Sequence, residues 1–226
     1  MPKRAIDSIT TFSVLTPEEC DRVLAEIKNL QPHWIRRSLT AALYSLGLAT
    51  YLDSGIDMDP AAKQLIQDNN DLLSLRFAWL YEKIHFTLQD ILGARIKHAH
   101  HLPRPGFHIF VYQPFAFDKR LGPHYDQYSM HSPDIGRMTI TLPITLPSSP
   151  SGLNLWNRHF SRDPKPRMDE LEEPEFLPYR QGEAVVHSGM WLHEVNLGET
   201  WKPDDMRVTL QGHLYQEVDE TWTLYW

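Results

Sequence analysis

The hydrophobic positions change rhythm once along the chain. Up to about residue 92 they recur mostly at helical spacing; beyond Gly93 they fall in short runs between Pro and Gly turns. In the first part, Ile9 to Val14 reads as a short strand. Thr16-Pro17-Glu18-Glu19 then opens a helix, with Thr16 as cap, Pro17 at the first helical position and Glu19 completing a capping box. Val23, Leu24, Ile27 and Leu30 form its apolar stripe. Residues 31–58 are mixed, with a strand expected near Leu46–Leu52. Asp59-Pro60 marks the start of a second helix that runs to about Leu92, with a break expected near Asn69-Asn70. Leu72, Leu75, Leu80, Ile84, Leu88 and Ile91 make its stripe, read as a core-facing surface.

The second part predicts strands at Ile96–His101, Phe107–Tyr112, Met138–Ile144, Leu153–Asn157, Glu183–His187, His193–Asn196, Met206–Tyr215 and Thr221–Tyr225. Short strands after a helical block imply an α+β, mainly β architecture: a barrel or sandwich buttressed by helices. Residues 161–181 are charged and Pro-rich, which predicts a surface loop or lid. The 226 residues fit one domain, with 1–92 as a helical and strand supporting region and 93–226 as the β-rich core.

Composition narrows the function classes. A net charge of -7 and no basic stripe argue against a nucleic-acid partner. Cys20 is the one cysteine, so neither an internal disulfide nor a cysteine-held metal cluster is available. No stretch reads as a signal peptide or membrane span, and a cytoplasmic location is expected. The 12 histidines supply many candidate ligands and acid–base groups.

The chemistry starts at His124-Tyr-Asp126. Residues i and i+2 of an extended segment point the same way, so an imidazole and a carboxylate can reach one metal. Gly182 to Val195 reads as strand, turn, strand, with His193 opening the second strand and His187 as a competing ligand. Two histidines and one carboxylate on one face leave coordination positions open, as non-haem Fe(II) oxygenases require. Fourteen residues beyond His193, Arg207 and Thr209 share one strand face with Gln211 and His213, while Val208, Leu210 and Leu214 share the other. The polar face is expected to line a cavity, where Arg207 offers a planar fork to a carboxylate and Thr209 a hydroxyl. The cluster His98, His100, His101 has no carboxylate at a recognisable offset and reads as a polar strand. Glu170–Glu175 reads as a solvated acidic loop.

The order His124-x-Asp126, His193, Arg207-x-Thr209 resembles the Fe(II)- and 2-oxoglutarate-dependent dioxygenases, especially their prolyl 4-hydroxylase-like branch. The resemblance covers roughly residues 93–215. It is carried also by Phe107–Tyr112 before the H-x-D, by Arg137–Leu142 followed by Ser151-Gly152-Leu153, and by the Gly182-to-His193 spacing. It implies a double-stranded β-helix, or jelly roll. It implies Fe(II) on His124, Asp126 and His193, with Arg207 and Thr209 holding the distal carboxylate of 2-oxoglutarate and Tyr112 contacting it. The implied reaction consumes O2 and hydroxylates an amino acid, peptide residue or small metabolite, with Tyr128 and Trp156 in the substrate wall. The longer span between His193 and Arg207 requires Leu197–Asp205 to bulge as a loop. The rival readings are a zinc hydrolase, since two His and one Asp also hold zinc, and a non-catalytic jelly-roll binding module. A nucleic-acid dealkylase of the same superfamily usually carries a second arginine six residues after the first, where this chain has His213.

Overall fold

Thr16 forms the capping box that its sequence predicts. Its hydroxyl accepts from the Glu19 N–H, and its own N–H donates to the Glu19 carboxylate. The computed structural model describes residues 4–53, 60–113, 122–126, 136–160 and 167–226. In chain order the elements are β1 (Thr10–Ser13), α1 (Pro17–Asn29), β2 (Ile35–Arg36), β3 (Leu43–Leu46), α2 (Pro60–Leu92), β4 (Ile96–His98), β5 (Gly106–Val111), β6 (Arg137–Thr145) and β7 (Gly152–His159). They continue with β8 (Glu175–Pro178), β9 (Glu183–His187), β10 (Trp191–Asn196), β11 (Met206–Gln216) and β12 (Trp222–Tyr225).

The strands form two sheets. The larger runs β1-β9-β6-β11-β5-β3-β2, with β12 also paired to β11 and β4 to β12; the smaller is β10-β7-β8. Every pairing is antiparallel except that of β12 with β4. The arrangement is the jelly roll, with helices on the outer face of the larger sheet. That outer face is apolar: Ile140, Leu142, Ile144, Val208, Leu210 and Leu214 pack with Val23 and Ile27 of α1 and with Leu73, Phe77, Leu80, Ile84 and Leu88 of α2. On β11, Arg207, Thr209 and Gln211 line a cavity between the sheets, as the alternation predicts. Three strands come from the first 92 residues, so that region belongs to the sheet as well as supporting it.

Four sequence expectations are corrected. The strand expected at Leu46–Leu52 is Leu43–Leu46, because Gly47 takes φ 116 and ends it. A Cβ at that glycine would lie 2.8 Å from the Trp226 ring, so the chain turns there against a close neighbour. The second helix departs from helical geometry at Phe77 rather than at Asn69-Asn70. Asn70 is instead a buried clamp, donating from Nδ2 to the Leu102 carbonyl at 2.9 Å and accepting the Arg104 N–H at 2.8 Å. Leu75 and Ile91 leave the predicted stripe at 80% and 39% exposure. Leu75 lies two residues from both Leu73 and Phe77, which at 3.6 residues per turn puts it on the opposite side. Within the expected loop 161–181, Glu175–Pro178 is a strand paired with β7, while residues 161–166 lie outside the described residues. Leu197–Asp205 is irregular chain between β10 and β11, as the motif spacing requires. No helix among the described residues is long and apolar enough to cross a membrane.

Candidate metal centre and its cavity

The two histidines and the aspartate are brought together by backbone pairing. His124 and His193 form an antiparallel bridge, each N–H donating to the other's carbonyl, at 2.8 and 3.0 Å. The H-x-D segment thus lies along β10 at the edge of the smaller sheet. Ligand atoms of His124, Asp126 and His193 all lie within 4.8 Å of one another. Asp126 Oδ1 stands 3.9 Å from His124 Nε2 and 3.5 Å from His193 Nε2.

Ring hydrogen bonds separate the competing histidines. His124 Nδ1 faces the Gly122 carbonyl at 2.9 Å, and His193 Nδ1 faces the Trp191 carbonyl at 2.8 Å. A carbonyl only accepts, so both rings carry the proton on Nδ1 and turn an Nε2 lone pair toward Asp126. His187 is the opposite case. Its Nδ1 accepts the Gly189 N–H at 3.1 Å, which leaves the proton of the neutral ring on Nε2. His187 packs edge-on against His193, with ring centroids 4.9 Å apart, and is not in the cluster of convergent ligand atoms.

The larger sheet supplies the opposite wall. Cross-strand register puts His187, Thr139, His213 and Tyr225 in one row across β9, β6, β11 and β12. Thr139 donates its hydroxyl to Asp126 Oδ2 at 2.6 Å and accepts from His213 Nδ1 at 3.1 Å. Asp126 is therefore held through Oδ2 with Oδ1 turned to the histidines. Gly189 also holds it, its carbonyl accepting the Asp126 N–H at 2.9 Å. Burial alone would raise the Asp126 carboxyl, but His193, with His213 and His187 behind it, keeps it well below the usual carboxylate range. Burial likewise opposes charge on His193, and Asp126 overrides it and raises that ring. Burial pushes His187 down to about 3.

Arg207 sits in the same cavity at 2% exposure. No described carboxylate pairs with it, and its Nε meets no acceptor. Its guanidinium lies 5.5 Å from the ring centres of both Phe110 and Tyr179. Thr209 is buried beside it on the same strand face.

The other residues singled out in the sequence fare differently. Tyr112 lies just past the end of β5, half-buried, and does not line this cavity; its backbone N–H donates to the Asp205 carbonyl at 3.1 Å. Tyr179 lines it instead, buried beside Arg207, with Thr141 in the same cavity wall. Trp156 is turned away: its β7 neighbours Leu153 and Leu155 face the space between the sheets, while Trp156 packs with Tyr125 and Leu192 and donates to the Glu172 carbonyl at 2.7 Å. Alternation along β7 dictates that outcome. Tyr128 lies outside the described residues. Thr139 and Tyr179 were missed. Thr139 and Thr141 do alternate with Ile140 and Leu142 along one strand, which is a readable signal for a polar inner face. Tyr179 has no such signal, because its place depends on the turn after β8.

No protein-family model matches the chain, and no curated protein matches it significantly. Solved structures do. An N-substituted L-amino acid dioxygenase from Burkholderia ambifaria AMMD superposes at a TM-score of 0.56 with 14% identity, over 98% of this chain and 87% of that one. The non-heme alpha ketoglutarate dependent epimerase SnoN of nogalamycin biosynthesis superposes at 0.55 with 14% identity, over 92% of this chain and 80% of that one. AviO1 from Streptomyces viridochromogenes Tue57 gives 0.54 with 13% identity, over 96% and 92%. A dioxygenase and an epimerase match equally well, so the likeness reaches a shared scaffold rather than one branch. This chain has the fold of the iron- and 2-oxoglutarate-dependent oxygenases, with a His-Asp-His cluster between its two sheets.

Proposed function

We propose that this protein is an Fe(II)- and 2-oxoglutarate-dependent oxygenase that oxidises a C–H bond of an amino acid, peptide residue or small metabolite. Arg207 carries the reading. A guanidinium so deeply buried with no described acid to pair with is costly to fold around unless an anion completes it. It shares its cavity with His124 and His193, and a dicarboxylic keto-acid has the two kinds of end that such a cavity would receive, one for a metal and one for a cation. Hydrolysis at a zinc centre does not itself need a keto-acid grip.

The donor set fits iron. His124 and His193 offer Nε2 lone pairs, Asp126 offers an ionised oxygen, and three protein ligands leave room for cosubstrate and O2. Bound iron with 2-oxoglutarate and O2 would supply the oxidising chemistry, releasing succinate and CO2. The chain's own groups do the positioning. Thr139 and the Gly189 carbonyl fix Asp126, and the Gly122 and Trp191 carbonyls fix the tautomers of the two histidines. Arg207 and Thr209 receive the distal carboxylate, and Phe110, Leu153 and Val195 keep that end apolar. An amino-acid or small-metabolite substrate agrees with two proteins that share this scaffold, the Burkholderia N-substituted L-amino acid dioxygenase and SnoN, the latter solved in complex with nogalamycin RO.

The test is anaerobic. Protein loaded with Fe(II) should develop a weak visible charge-transfer band on addition of 2-oxoglutarate, absent when either is omitted. No band, together with no calorimetric binding of 2-oxoglutarate to metallated protein, refutes the proposal.

A further inference from the structure

Of the described histidines His124, His187 and His193, His187 has its ring set the wrong way round for the metal. The residue before the Gly189 turn accepts that turn's N–H on Nδ1, so the neutral ring carries its proton on Nε2. Nε2 has no hydrogen-bond partner among the described residues, yet His187 borders the cavity shared by His124, His193 and Arg207. The ring is held tightly. It is 5% exposed, stands edge-on to His193 at 4.9 Å, and lies beside Thr139 in the register of β9 and β6. Gly189 also accepts the Asp126 N–H on its carbonyl, so one turn residue orients both the aspartate and this imidazole.

We infer that His187 is a positioning residue whose Nε2–H donates to an oxygen of the bound keto-acid at the end next to His124, Asp126 and His193. This rests on the oxygenase reading above. Arg207 would hold the distal carboxylate, and His187 the proximal oxygens. The cosubstrate then meets a fixed donor at each end, and its orientation between them is set by the protein.

The first test needs no substitution. Protein with 15N-labelled histidine and Zn(II) as a diamagnetic stand-in is observed by long-range 1H–15N correlation. The His187 ring should appear as the Nε2–H tautomer, and its Nε2–H resonance should move downfield on addition of 2-oxoglutarate. An Nδ1–H tautomer, or no movement with 2-oxoglutarate bound, overturns the inference.

The second test uses variants. H187F keeps the ring volume and removes the donor; H187Q returns an N–H near the Nε2 position. H187F should bind Fe(II) as the wild type does but 2-oxoglutarate roughly 10- to 100-fold more weakly, the range for a hydrogen bond to a charged acceptor. H187Q should recover most of that loss. Equal 2-oxoglutarate affinity in H187F refutes the donor role, and lost Fe(II) affinity in folded H187F makes His187 a ligand instead. Wild-type protein that binds Fe(II) but no 2-oxoglutarate overturns the oxygenase reading itself, which is a different result from either.

Discussion

Replacing Arg207 by methionine should make the ligand-free protein more stable and the ligand-bound protein less so. Methionine fills much of the volume without charge. The lost terms are the contacts with the Phe110 and Tyr179 rings at 5.5 Å, each worth about 0.5–1 kcal/mol. The gain is release from burying a cation that no described carboxylate compensates. Exchanging buried ions for apolar groups is neutral to stabilising by about 1–4 kcal/mol. At the midpoints of these ranges, the balance favours the variant by about 1 kcal/mol, or roughly 2–4 °C in Tm for a domain of this size. With Fe(II) and 2-oxoglutarate at a hundred times its dissociation constant, the wild type should gain about 2.7 kcal/mol. The variant should gain from 2-oxoglutarate no more than about 0.9 kcal/mol, because loss of a buried carboxylate partner costs about 2–5 kcal/mol of binding. The two melting curves should therefore exchange order when ligand is added, in parallel scans at fixed protein and metal concentration. A ligand-free variant that melts below wild type shows that Arg207 has a partner within the fold. Undiminished 2-oxoglutarate affinity removes Arg207 from the site.

Thr139→Val deletes the hydroxyl that donates to Asp126 Oδ2, and Fe(II) affinity should fall roughly 10- to 100-fold with the fold retained; metal titration showing no loss contradicts the assigned role. Gly189→Ala places a Cβ 2.6 Å from Asp126 Cβ at a residue with φ 69, so it should cost about 1–2 kcal/mol from backbone strain alone and weaken the metal site. Unchanged melting and metal affinity would count against this account. Acid should destabilise the metal-free protein: His98 and His108, pushed down to about 4 and about 3 chiefly by burial, fold neutral, whereas unfolded they titrate near 6.5. Their contribution is complete above about pH 6.5 and fades as pH falls toward the folded values, by up to about 2 kcal/mol each at pH 5. His193, raised by Asp126, shifts the other way and offsets only part of this. Urea midpoints equal at pH 7.5 and pH 5 would disprove it.

Much of this molecule follows from local chemistry. Thr16 and Glu19 are close in sequence, so their capping box is legible without the fold. The β11 alternation is equally local: Val208, Leu210 and Leu214 go to the helices and Arg207 and Thr209 to the cavity because a strand has period two. The triplet His124-x-Asp126 announces two ligands for the same reason. Where local rules were stretched, they failed. Leu75 matched an apolar pattern but not the phase of Leu73 and Phe77, and Asn70, expected to break α2, is satisfied by Leu102 and Arg104 more than thirty residues away. Trp156 suited a pocket by chemistry, yet the parity of β7 turned it outward.

What the sequence determined by itself is the inventory: a β-rich chain with helical buttresses, an H-x-D, a later histidine and an arginine on a polar strand face. It favoured His193 over His187 by motif spacing alone, without a physical reason at the rings. The physical difference between the two rings is tertiary: the Trp191 carbonyl faces Nδ1 of His193 and the Gly189 N–H faces Nδ1 of His187, which fixes where each proton sits. The sequence could not place Tyr179 beside Arg207 or turn Thr139 onto Asp126. Those relations join residues tens of positions apart across two sheets. They exist only once register is set, because register decides which side chains share a row and which carbonyl meets which ring.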